Sequence, residues 1–83
     1  MARPDYAPPR KRSVLISGHQ TSISLEPVFW AALEAEARRR GSSLNALIAL
    51  IDAERLEAER QPNLTSALRQ FLLFRASADR RGE

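Results

Sequence analysis

Gln20, Ser22 and Ser24 stand at every second position of a short run, Gln20 to Leu25, and bring one amide and two hydroxyls to it. Such groups both donate and accept hydrogen bonds. Period-two spacing puts them on one face of a β-strand, with Thr21, Ile23 and Leu25 on the other. Glu26-Pro27 opens a helix with no loop between. A strand's backbone N–H and C=O groups need a ladder partner. An otherwise helical chain of 83 residues offers few. The expected partner is therefore the same strand in a second copy. The product is a two-stranded antiparallel ribbon with a polar outer face, about the size that a DNA major groove admits. An ordinary solvated face of an antiparallel pair has the same composition.

No other chemistry competes with this one. The single histidine, His19, lies in the strand region beside Gly18, so the serines have no partnered base and no Ser-His-Asp arrangement arises. There is no glycine-rich phosphate loop. Asp52, Glu54, Glu57 and Glu59 lack the oxygen-ligand spacing of a calcium loop. Without cysteine, neither a disulfide nor a thiolate metal site can form, and His19 alone cannot hold zinc. The chain is expected not to be an enzyme and to need no cofactor or metal. Trp30 has the helical spacing of a core residue, and His19 that of a turn residue.

The length bounds the chain to one small domain, which buries a modest share of its surface and usually needs a staple. Oligomerisation is the staple left. No apolar run reaches the roughly 18 residues that cross a bilayer, and Met1 to Arg12 lack the apolar stretch of a secretory signal. A cytoplasmic protein without a membrane segment is the expectation. The net charge is +3, and its distribution says more. Residues 1–25 carry Arg3, Arg10, Lys11 and Arg12 against Asp5. Residues 26–63 are net acidic, and residues 64–83 carry Arg69, Arg75, Arg80 and Arg81 against Asp79 and Glu83. Positive charge at both ends suits a polyanion partner.

The elements that must position the strand follow from local signals. Residues 1–12, with Pro4, Pro8 and Pro9 and no periodicity, read as a disordered basic arm whose Arg10-Lys11-Arg12 cluster contacts phosphate or is simply solvated. Residues 13–17 are a second β-prone run bounded by Gly18. They pair with 21–25 as a hairpin within one chain, or lengthen one strand through a bulge. Residues 27–40 form a helix with Pro27 at its first position and Phe29, Trp30, Leu33 and Ala37 on one face. Glu34 and Arg38 make an i,i+4 pair, Arg38 to Arg40 sit in the last turn, and Gly41 stops it. Ser42-Ser43 cap a second helix with Leu44, Leu47, Ile48 and Ile51 as its stripe. Gln61-Pro62 breaks it, and Asn63 caps a third helix carrying Leu64, Leu68, Phe71 and Leu72. The polar tail from Ser77 to residue 83 is expected to fray.

Strand, Pro-initiated helix, Gly-Ser-Ser turn and apolar second helix resemble the ribbon-helix-helix family. The resemblance rests on Thr21-Ser-Ile-Ser-Leu-Glu-Pro, Gly41 sixteen residues after Leu25, and Leu44-Asn45-Ala46-Leu47-Ile48. It covers residues 20–56. From Lys11-Arg-Ser-Val through Asn63-Leu-Thr-Ser-Ala-Leu-Arg the chain resembles a small bacterial subfamily with an added N-terminal strand and a third helix. The resemblance implies a mainly α fold with a short β ribbon, an intertwined homodimer with an extra C-terminal helix, folded over residues 13–76. It implies a DNA-binding transcriptional regulator with the strand pair in the major groove of double-stranded DNA. Base contacts would fall to Gln20, Ser22 and Ser24. Phosphate contacts would fall to Ser42, Ser43, Leu44 and Asn45 at a helix start, where N–H groups and the dipole hold anions, joined by Arg10, Lys11 and Arg12. The dimer core would be Ile23, Leu25, Leu44, Leu47, Ile48 and Ile51. The alternative on the same fold is a dimeric protein-interaction module or antitoxin-like adaptor with a masked or lost DNA face, its partner bound through the C-terminal region. Gln with Ser, and no Arg or Lys among the three strand positions, implies modest base discrimination. An extra strand on both ribbon edges would make a sheet roughly 14 Å between outer axes, against a groove about 12 Å wide.

Overall fold

The computed structural model describes residues 3–82. Five elements follow one another: β1 (Arg10–Ile16), β2 (His19–Leu25), α1 (Pro27–Arg39), α2 (Leu44–Glu57) and α3 (Leu64–Arg80). The two strands pair antiparallel from Arg10 opposite Leu25 to Ile16 opposite His19, and the three helices cover one face of that sheet.

Within the chain the 20–25 strand thus pairs with β1 as a hairpin, and its other edge is left open. Ser17 and Gly18 make the two-residue loop, with φ of 50° and 80°. Positive φ at both positions is the type I′ geometry whose twist matches that of the flanking strands. Gly18 adopts it freely, while Ser17 is a non-glycine residue in the left-handed region. Strand β1 also begins earlier than the composition suggests. Arg10, Lys11 and Arg12 belong to it rather than to a disordered arm. The cause is tertiary. The Trp30 indole Nε1 donates to the Arg10 carbonyl at 2.9 Å, and the Arg12 guanidinium stacks 4.7 Å above the Trp30 ring while bonding Glu34 at 2.8 Å. This bond replaces the expected Glu34–Arg38 pair. Residues 3–9 carry no regular element. Met1 and Ala2 of the expected arm, and Glu83 of the tail, lie outside the described residues.

The helix boundaries follow the punctuation. Pro27 opens α1. At its end the Gly41 N–H (φ 66°) donates to the Arg38 carbonyl and the Ser42 N–H to that of Ala37, which is a Schellman closure. The Ser43 hydroxyl accepts from the Ala46 N–H at 3.0 Å, and Asn63 Oδ1 accepts from the Ser66 N–H at 2.8 Å. One expectation fails at the C-terminus. α3 does not fray at Ser77 but runs on to Arg80, because Ala78 is packed at 4% exposure and Asp79 bridges to Arg39 and Arg75.

The core joins Val14, Ile16, Ile23 and Leu25 of the sheet to Trp30, Leu33 and Ala37 of α1, Leu47, Ile48 and Ile51 of α2, and Leu68 of α3. Of the residues expected in a dimer core, Ile23, Leu25, Leu47, Ile48 and Ile51 are buried within the chain itself, and Leu44 is half-buried. β1 and α3 supply the cover that a minimal strand-helix-helix unit lacks.

One charged side chain lies in this packing. Glu36 is 7% exposed and accepts from Arg39 and, at 2.7 Å, from Arg40, with Arg75 Nε 3.5 Å away. Burial pushes its carboxyl up, and the hydrogen bonds from Arg40 and Arg39 more than offset this, so it titrates below the usual carboxylate range. A depressed folded pKa contributes stability above the unfolded value near 4.3 and loses it as pH falls through the folded one. Thermal melts of the native chain should be level down to about pH 5 and fall below about pH 4. Glu36→Gln should melt lower at neutral pH, by about 1–3 kcal/mol given its half-exposed arginine partners, and show a shallower acid limb. An acid limb of unchanged depth in that variant would remove Glu36 from the account.

Candidate nucleic-acid interface

The hairpin register decides which side chains share the outer face. Lys11 stands opposite Ser24, Ser13 opposite Ser22, and Leu15 opposite Gln20. All six are exposed, and the alternate residues Val14, Ile16, Ile23 and Leu25 are buried beneath them. Gln20, Ser22 and Ser24 thus lie on one solvated face, as their spacing implies. Lys11 lies with them and not beside the phosphate-contact candidates, because it is one residue out of phase with Arg10 and Arg12. From Arg10 to Leu25 there is no acidic residue. The paired strands are about 4.8 Å apart, well inside a groove about 12 Å wide.

The type I′ turn also fixes which backbone groups remain open. Its closing bond runs between Ile16 and His19. Bonded pairs then alternate, so His19, Thr21, Ile23 and Leu25 spend their N–H and C=O on β1. Those of Gln20, Ser22 and Ser24 point to the other edge of β2, which is unpaired among the described residues.

A second group forms where α1 hands over to α2. Arg12, Glu34, Ala37, Arg38, Ser42 and Leu44 line a depression of about 250 Å³. The Ser43 hydroxyl satisfies the Ala46 N–H, and the N–H groups of Ser43, Leu44 and Asn45 precede the first intrahelical bond. Arg12, Ser42 and Leu44, named separately from the sequence, therefore meet here. Arg10 lies instead toward α1, beside Pro27 and Trp30. Arg38, in the last turn of α1, stands beside Arg12, Ser42 and Leu44 though it was not among the phosphate candidates. It is exposed, forms no ion pair among the described residues, and lines the depression that leads to the α2 start. Ser13 and Leu15 were missed as outer-face residues, and the signal for them was Ser17-Gly18 read as a two-residue turn. Arg39 and Arg40 are engaged by Glu36.

A family model described as a ribbon-helix-helix domain matches residues 9–76, and the chain belongs to that family. Ribbon-helix-helix domains are typically DNA-binding transcriptional regulators or antitoxins, regulatory modules that generally dimerise. The match includes β1 and most of α3, so both belong to the domain. No curated protein and no solved structure matches the chain significantly. No helix among the described residues is long and apolar enough to cross a membrane.

Proposed function

We propose that this chain is a sequence-specific DNA-binding transcriptional regulator of the cytoplasm whose β1–β2 hairpin enters the major groove. The observation that carries this is the outer face of the hairpin, polar but for Leu15, exposed and free of acids, in a family whose members typically bind DNA. Gln20, Ser22 and Ser24 contact base edges. The start of α2, with Ser42, Ser43, Leu44 and Asn45, holds a phosphate, aided by Arg10, Arg12 and Arg38.

Binding to mixed-sequence duplex at low salt, followed through a salt titration, tests the proposal. Gln20→Ala is expected to cost roughly 1–3 kcal/mol on the preferred site and to leave the salt slope unchanged. Absence of binding even at low salt would sink the DNA reading.

A second reading keeps the fold and gives up the groove. Two copies joined through the open edges of β2 would make a homodimer with a four-stranded sheet, roughly 14 Å between outer axes, too broad for the groove. Leu73 and Phe74, largely exposed on α3, suit a protein partner of such an adaptor. Sedimentation of the free and DNA-bound chain separates the readings, since edge-joined copies must part before the hairpin can dock.

A further inference from the structure

We propose that the groove between α2 and α3 is a docking site for a basic amphipathic helix of a partner protein. The inference stands whether or not the hairpin binds DNA, because the groove lies in the helical layer and not on the outer face of the sheet. It measures about 470 Å³ and is open to solvent. Its floor is Ile51, Ala67 and Phe71, which belong to the core or pack against it, and Phe74 forms one wall. Phe74 continues the apolar surface of the core and yet is 62% exposed. Leu73, next to it in sequence, does not line the groove.

Shape and charge select the occupant. Ala67 and Phe74 are seven residues apart on α3, about 10.5 Å or two helical turns. That length takes two turns of a second helix, with apolar anchors at i, i+3 or i+4, and i+7. An extended segment fits worse. The walls are helices whose backbone groups are bonded internally, so a strand laid there would leave its own N–H and C=O groups unpaired. A helix satisfies its own and packs its ridges into the groove. Charge then sets the sign. Glu54 lines the groove, Glu57 stands one turn further along α2, and Glu59 follows in the connection to α3. None of the three forms an ion pair among the described residues. Of the cations lining the groove, Arg55 is held by Asp52 and the Pro62 carbonyl, which leaves Arg60 against three carboxylates. On a chain of net charge +3, this acidic rim disfavours nucleic acid at the groove and attracts lysine or arginine beside the apolar anchors.

The probe is a display library of helical peptides of about four turns, randomised along one face and selected on the full chain, with the enriched peptides titrated by anisotropy. They should carry large apolar residues at i, i+3 or i+4, and i+7, flanked by lysine or arginine, and bind more weakly as salt rises. Phe74→Ala should lose roughly tenfold, as expected for a central aromatic anchor. Glu54→Lys should lose affinity and much of the salt dependence. Leu73→Ala, similarly exposed on α3 but outside the groove, should bind as the native chain does. All three side chains are exposed, so unchanged thermal midpoints confirm that the variants fold. A library that yields no enriched peptide, or peptides that bind Phe74→Ala as tightly as the native chain, would overturn the inference. So would sedimentation in which Phe74→Ala changes self-association, since a second copy would then own the groove. Phe74→Ala should bind mixed-sequence duplex as the native chain does. If the native chain takes the peptides and no duplex, only the DNA-binding reading falls.

Discussion

Removal of residues 63–83 is expected to leave a chain that does not fold on its own. α3 is part of the core and not an appendage. Leu68 is fully buried among the hairpin, α1 and α2, and Leu64, Ala67, Phe71 and Leu72 pack around it. Without α3, the buried face of α2 at Leu47, Ile48 and Ile51 would lose part of its cover. The milder Leu68→Ala should cost about 2–5 kcal/mol, a large share of the roughly 5–15 kcal/mol typical of a small domain. Its thermal midpoint should fall by at least about 10 °C. Leu73→Ala, at a largely exposed position of the same helix, should stay within about 0.5 kcal/mol of the native chain. Circular dichroism melts decide the matter, and a truncated chain melting where the intact one does would contradict the account.

The second large effect belongs to binding. Replacing Arg10 and Arg38 together by alanine is expected to weaken binding to every sequence alike. Each phosphate contact contributes a salt slope of about 0.9, so the double variant should lose about 1.8 from it. At 0.1 M salt this corresponds to about eightfold per contact, or roughly sixtyfold for the pair. Both side chains are exposed and unpaired among the described residues, so stability should hardly change. Arg12 is the wrong residue for this experiment, because its stack on Trp30 and bond to Glu34 confound binding with folding. A slope that stays put in the double variant would remove these residues from the phosphate path.

The legible parts of the sequence are those with local causes. Alternation between Gln20 and Leu25 needs no tertiary contact to be seen, and Pro27, Gly41, Ser43 and Asn63 punctuate the chain through their own chemistry. The partner strand was harder to find because its reasons lie far away in sequence. Arg10, Lys11 and Arg12 look like a solvated cluster until Trp30 supplies an indole donor for one and a ring for another. Ser17 concealed the turn, being a non-glycine residue at positive φ. At the C-terminus, polar Ser77 and Asp79 suggested fraying, while Ala78 between them makes the buried contact. The same long-range pairing governs the outer face. Spacing alone yields Gln20, Ser22 and Ser24, but Lys11, Ser13 and Leu15 join them only once the register is known.

The covalent continuity of the hairpin has a consequence for symmetry. A ribbon made from two copies of one strand carries a twofold axis, so any change in the strand appears twice and alters both halves of what it touches. Here the two strands differ, with Lys11, Ser13 and Leu15 on one and Gln20, Ser22 and Ser24 on the other. The ribbon has a head and a tail. A substitution enters it once, at one end, and the two ends can diverge independently.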